Sequence, residues 1–203
     1  MSVSGEDVYR WLVTGSEGGL CQGFDKHVAA AILSLSLVDT QEGGSLVSTC
    51  GLTPAELNEL AELCFPHAAS VLSRVDPEEK LERPEVEACL QQLLFRGSTS
   101  QSRFEHLVSC MIARRAQRSH HLWQDLGLRH RRELSWLMQQ HFEPLADRNT
   151  QDMKWKKFLY RMICRDESFM LCVAPSCEEC DDVERCFGDE NGPSLLSQSQ
   201  QSS

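Results

Sequence analysis

Two capping boxes and a succession of helically spaced apolar stripes constrain this chain more than any other feature. Thr53-Pro54-Ala55-Glu56 puts a hydroxyl at the N-cap, proline at the first helical position and glutamate at N3. Side chain and backbone then satisfy each other's orphan amides. Leu57, Leu60, Ala61 and Cys64 continue as the apolar face. Ser102-Arg103-Phe104-Glu105 is a second box, followed by Phe104, Leu107, Val108, Met111 and Ile112 on one face. Further stripes are Val28, Ile32 and Leu35 (with Ala31 and Val38 beside them), and Val86, Cys89, Leu90 and Leu93, stopped by Gly97. His130, Leu134, Leu137 and His141 share another face. So do Trp155, Phe158, Leu159 and Met162, with Lys154, Lys157 and Arg161 as a cationic stripe alongside. Period-two alternation is nearly absent. The predicted fold class is all-α: a helical bundle-like domain, then an irregular C-terminal cysteine-rich loop and a disordered tail.

At 203 residues the chain is long enough for one domain or two small ones. A chain of this size buries ~70% of its unfolded surface, so it folds without metal or disulfide staples. The expected division is an acidic helical half over 1–100, a basic helical segment with the cysteine loop over 101–188, and a disordered tail over 189–203. A single domain over 1–188 is the other division. No basic segment followed by an apolar run opens the chain, and no apolar run is long enough to span a bilayer. The expected compartment is therefore the cytoplasm, where thiols stay reduced and clustered cysteines point to metal or redox chemistry. The net charge is −10, yet Arg103 to Arg165 carries thirteen Lys/Arg against six Asp/Glu, a net of +7. Five of the seven histidines, His106, His120, His121, His130 and His141, lie in the same window. Such a segment suits either an anion-handling site or a solvated charged face.

Cys172, Cys177, Cys180 and Cys186 crowd into fifteen residues with the spacing Cys-x4-Cys-x2-Cys-x5-Cys. Four thiolates on one short loop suit an iron–sulfur cluster, whose metals each take one thiolate. Zinc is a rival, although four-cysteine zinc sites usually pair two separated knuckles. A thioredoxin-like pair at Cys177 and Cys180 would need a strand–helix context, and a bacterial ferredoxin would need a different spacing. Cys164 is a candidate for an extra sulfur. Cys21, Cys50, Cys64, Cys89 and Cys110 read as structural, small buried hydrophobes.

The loop's last two intervals resemble the cluster loop of helical DNA glycosylases of the endonuclease III type, which implies a DNA-repair enzyme. No Gly-rich hairpin turn accompanies it, and the net charge of −10 works against phosphate binding. A fuller resemblance covers Arg103 to Gly188. The cysteine spacing with Phe187-Gly188 after it, His121-Leu-Trp-Gln-Asp-Leu-Gly-Leu128, and Met153-Lys-Trp-Lys-Lys-Phe-Leu-Tyr-Arg161 are, in that family's order, similar to the NifQ family. The resemblance implies an iron–sulfur protein that takes up molybdenum and passes it towards the nitrogenase iron–molybdenum cofactor. It implies the cofactor-scaffold complex and the nitrogenase reductase as partners, with Cys172, Cys177, Cys180 and Cys186 as cluster ligands. Such a protein is a metal carrier rather than a turnover enzyme, with no membrane or nucleic-acid partner. A zinc-stapled helical interaction module is a further alternative.

Under that reading the cluster is of Fe3S4 or Fe4S4 type, and becomes a molybdenum–iron–sulfur cluster when loaded. Glu178, Glu179, Asp181, Asp182 and Glu184 interleave the thiolates and would repel molybdate. The expected approach for molybdate is therefore past Arg114, Arg115, Arg118 and the His120–His121 pair, with His121 a candidate molybdenum contact.

Overall fold

The computed structural model describes residues 4–15, 18–21, 23–167 and 190–198, apart from the side chains of 42 and 164–167. All regular structure among these residues is helical. The helices are α1 (Gly5–Thr14), α2 (Gly23–Asp39), α3 (Leu46–Cys50), α4 (Pro54–Cys64), α5 (Ala69–Leu72) and α6 (Glu85–Arg96). They continue with α7 (Arg103–Arg115), α8 (Leu122–Asp125), α9 (Arg131–His141), α10 (Glu143–Ala146), α11 (Trp155–Glu167) and α12 (Leu195–Gln198). Short 3-10 turns at Thr40–Glu42 and Pro66–Ala68 complete the list. The all-α expectation holds.

Helix α2 is the axis of the molecule. Every residue from Val28 to Ser36 is buried, so this stretch is enclosed on all sides, and apart from Ser34 and Ser36 it is apolar. Ala29, Ala30 and Ala31 keep it slim, and α1, α3 and α12 pack against it. Gly127, after α8, approaches so closely that a Cβ there would lie 2.7 Å from the Ala31 carbonyl oxygen. Its φ of 70° is also one that glycine alone adopts readily.

Both capping boxes form as the sequence predicts. Thr53 N donates to Glu56 Oε2 at 2.9 Å, and Ser102 N donates to Glu105 Oε2 at 3.0 Å. Helix α3 stops at Gly51, which has a left-handed φ of 78° and donates its amide to the Val47 carbonyl. A Cβ on Gly51 would meet Arg114 Cβ at 2.5 Å, so glycine sets how closely α3 lies on α7. Helix α7 also packs on α6 and α4, and α6 packs on α11.

One apolar core runs from Leu12 to Leu196. Carboxylates of the acidic half reach across to the basic segment: Glu59 to Arg103, Glu56 to His106, Glu87 to Arg114, Asp39 to Arg115, and Asp25 to His141. The charge asymmetry along the chain is thus largely cancelled in space.

Two expectations need correction. Residues 190–198, assigned by their polar composition to a disordered tail, belong to the fold. Leu196 is buried, and α12 lies against α1, α2 and α8. Leu196 supplies an apolar grip that mean composition hides. Cys21 and Cys64, expected as separate thiols, are joined in a disulfide with Cα atoms 4.7 Å apart. The backbone amides of Leu20 and Cys21 both donate to the Leu63 carbonyl, which brings that segment onto the end of α4.

Candidate metal centre and its ionic surround

Cys172, Cys177, Cys180 and Cys186, with the acidic residues between them, lie outside the described residues. The side chain of Cys164 does too, although its backbone belongs to α11. What the structure supplies is the ground on which the motif is set.

On the N-terminal side, α11 buries Trp155, Phe158, Leu159, Met162 and Ile163. On the C-terminal side the chain is caught at once. The Glu190 side chain is 4% exposed, accepts from Arg131 Nε at 2.6 Å, and lies 3.1 Å from His121 Nδ1. Arg131 also grips Asp152 through two nitrogens at 2.7 Å each. These carboxylates hold the Arg131 guanidinium above its usual range: the Asp152 hydrogen bonds outweigh burial, and Glu190 adds to them. Gln124 Nε2 donates to the Pro193 carbonyl at 2.9 Å.

The residues expected to meet molybdate each have a partner inside the fold, and of them His121 belongs to this anchor. Arg115 is almost fully buried. Its Nε donates to the Asp125 carbonyl at 2.5 Å, and its Nη1 pairs with Asp39. Arg118 pairs with the same Asp39 oxygen at 2.8 Å. Arg114 pairs with Glu87 at 3.0 Å and donates to the Glu82 carbonyl at 2.6 Å. His121 faces Glu190, and exposed His120 lies 3.4 Å from Asp125 Oδ1. Lys156 donates to Asp125 Oδ2 at 2.5 Å and to the Arg118 carbonyl at 2.6 Å. Burial depresses the Lys156 ammonium's pKa, against the pull of Asp125. Burial likewise raises the Glu87 carboxyl, against Arg114 and Arg83.

Asp39, Arg131 and Glu190 were not signalled by sequence, and Asp125 and Lys156 stand in the two tryptophan-containing segments without any role read for them. All five meet only through tertiary contact. Of the remaining histidines, His141 bonds to Asp25 at 2.8 Å. Exposed His130 lies 3.9 Å from Glu133 at the start of α9. A cavity of about 200 Å³ beside α11 is lined by Arg148, Asn149, Met153, Phe158 and Arg161 among others.

Ligand-type side chains also converge between α4 and α7. Glu56 Oε1 lies 3.2 Å from His106 Nε2 and 4.0 Å from Cys110 Sγ. Burial resists ionisation of Glu56, but hydrogen bonds from Thr53 and His106 and the charge of Arg83 hold its carboxyl below the usual range. Burial, with the Glu56 charge adding to it, pushes the Cys110 thiol up to about 12.

The described residues form an all-α domain, and the four-cysteine motif lies in the sequence between α11 and α12. The NifQ family model matches residues 28–188, which include every motif cysteine. The chain is 39% identical to a protein NifQ homolog of Sinorhizobium fredii over 84% of this chain and 75% of that one. It is 36% identical to protein NifQ of Rhodobacter capsulatus, over 77% and 86% of the two chains. With protein NifQ of Azotobacter vinelandii it shares 35% identity over 69% and 68%. No solved structure matches the chain. The chain belongs to the NifQ family.

Proposed function

We propose that this protein carries an iron–sulfur cluster on Cys172, Cys177, Cys180 and Cys186, takes up molybdenum from molybdate, and donates it for assembly of the nitrogenase iron–molybdenum cofactor. The observation that carries the reading is the family match across residues 28–188, which spans all four cysteines. Four thiols at Cys-x4-Cys-x2-Cys-x5-Cys are a donor set suited to such a cluster. Bound there, the cluster would offer inorganic sulfide to molybdenum, so that the metal leaves its oxyanion form and becomes sulfur-ligated. The protein acts as a carrier rather than a turnover enzyme. Its partners are the cofactor-scaffold complex and the nitrogenase reductase.

The described residues support this role by holding the ends of the motif. Helix α11 leads towards the first cysteine from a buried apolar face. Glu190, held by Arg131 and His121, secures the chain four residues after the last cysteine. Paired as they are, Arg115 and Arg118 serve this scaffold by joining α7 to the end of α2 through Asp39. No helix among the described residues is long and apolar enough to cross a membrane.

The test is iron, acid-labile sulfide and molybdenum analysis of anaerobically purified protein, with and without molybdate, beside Cys172→Ala. Iron, sulfide and molybdate-dependent molybdenum are expected together, and all fall in the variant. Iron and sulfide without molybdenum would remove the donor role. Zinc alone would remove the cluster.

A further inference from the structure

We propose that Glu56, His106 and Cys110 form a second metal site, separate from the C-terminal cysteines, for a divalent first-row transition ion of the zinc type. The three donors come from two helices. His106 and Cys110 are four residues apart on α7 and so share a face. Glu56 stands opposite them in the first turn of α4. The three ligand atoms all lie within 4.8 Å of one another. With zinc bonds of ~2.0–2.3 Å, tetrahedral ligands stand roughly 3.3–3.6 Å apart. The His106–Glu56 separation of 3.2 Å is already of that size, and Cys110 Sγ, 4.0 Å from the same oxygen, closes in by a small side-chain rotation.

The surroundings orient each donor. The two oxygens of Glu56 have different tasks. Oε2 accepts from Thr53 N at 2.9 Å, from Thr53 Oγ1 at 3.0 Å and from Arg83 Nη2 at 3.4 Å. That leaves Oε1 facing the histidine and the thiol, in the manner of a carboxylate positioned by outer partners for one-oxygen ligation. The Phe95 ring meets His106 edge-on, with centroids 5.1 Å apart, and sets the imidazole plane. His106 Nε2–H now donates to Glu56. Metal binding takes the other tautomer, with its proton on Nδ1. Arg83 shares buried Glu87 with Arg114, which lies closer to it, at 3.0 Å against 3.8 Å. A dication, one thiolate and one carboxylate sum to zero, so the ion and its three protein ligands are together neutral. The side chains of Glu56 and His106 remain 17% and 22% exposed, so solvent reaches the fourth position. Three protein ligands with a water mark an exchangeable site rather than a closed structural one.

The test uses cobalt as a zinc probe. The full chain carrying Cys172→Ser, Cys177→Ser, Cys180→Ser and Cys186→Ser is titrated with Co2+ while the Cys21–Cys64 disulfide stays oxidised. One ion per chain is expected, with a thiolate-to-cobalt charge-transfer band and the intensified visible bands of a four-coordinate ion, both lost on adding Zn2+. Adding Cys110→Ser removes the charge-transfer band, whereas Cys89→Ser leaves it. Glu56→Gln and His106→Ala each weaken binding at least ~10-fold, the lower end of what outer-sphere changes cost. No charge-transfer band in helical protein, or one unchanged by Cys110→Ser, overturns the site. The same difference is read with the motif intact: Zn2+ bound per chain falls by one in Cys110→Ala, and an equal count also overturns it. Molybdenum loading does not enter either readout, so this inference and the donor role fail separately.

Discussion

The two ends of α7 meet their neighbours in opposite ways. At its C-terminal end Arg114 and Arg115 each close on a carboxylate from the acidic half, and Arg118, just beyond, shares Asp39 with Arg115. Further up the same helix, His106 and Cys110 converge on one oxygen of Glu56, and its other oxygen is held elsewhere. Unlike charges in contact saturate each other and leave little field for a third party. Donors grouped around one oriented oxygen keep their capacity for an ion. The arginines expected on molybdate's path are thus already ion-paired within the fold, whereas the less conspicuous donors are grouped around a single oxygen.

The largest expected effect tests the saturated end. Arg115→Ala leaves Asp39 with only the exposed Arg118 and strips a hydrogen bond from the Asp125 carbonyl. Breaking a buried pair costs about 3–5 kcal/mol. Urea denaturation should show that loss, with iron per folded protein unchanged. A loss under ~1 kcal/mol would mean that the pair behaves like an exposed one.

Next comes Gly51→Ala, which attacks the α3–α7 contact between the two ends. The left-handed conformation alone costs ~1–2 kcal/mol for a residue with a Cβ. The approach of 2.5 Å to Arg114 Cβ adds to it, so the change should exceed that of Gly43→Ala, where nothing lies within 4 Å.

Thr53→Ala acts at the open end and should cost about 1 kcal/mol through the lost cap. It should also weaken Co2+ binding, because Glu56 Oε2 loses its hydroxyl partner. Unchanged affinity would show that Glu56 needs no such positioning.

Acid stability separates two buried carboxyls. Burial resists ionisation of Glu133, but His27 and the Arg129 amide hold it below the usual range. Its contribution is present above the unfolded value of 4.5 and is lost as pH falls through the lower folded value. Glu87 is raised, so its contribution is present below 4.5 and is lost as pH rises through the folded value. Glu133→Gln should therefore flatten the acid loss of stability, and Glu87→Gln should steepen it, in denaturation curves taken across pH 3–6. The smallest effect belongs to Arg103→Ala. Its pair with Glu59 is largely exposed and is worth less than ~1 kcal/mol.

Helices were legible where their signals are local. Thr53 and Ser102 cap as their boxes predict, and Val28, Ile32 and Leu35 do face a core. Helix α1, capped by Ser4 with Asp7 at N3, carries a local signal of the same kind in its sequence. The disulfide, the Arg131–Glu190 anchor and the Glu56–Cys110 contact join residues 43, 59 and 54 positions apart. No periodicity encodes such meetings, because the fold alone brings them together. The four-cysteine motif is the reverse case, conspicuous in sequence because its donors are neighbours in the chain.

The hold on Glu190 also bears on how fast metal can be captured. In the chain the four motif thiols fall between α11 and Glu190, and both of these described flanks are held by the same fold, as the two ends of a macrocycle's ring are held where it closes. Pinning both ends of a 22-residue stretch removes many of its open arrangements and raises the effective concentration of each thiol at the others. A chain ending at Asp189 would keep every cysteine and lose that closure. Its thiols would behave as a one-ended tether, binding metal more weakly although no ligand had been touched.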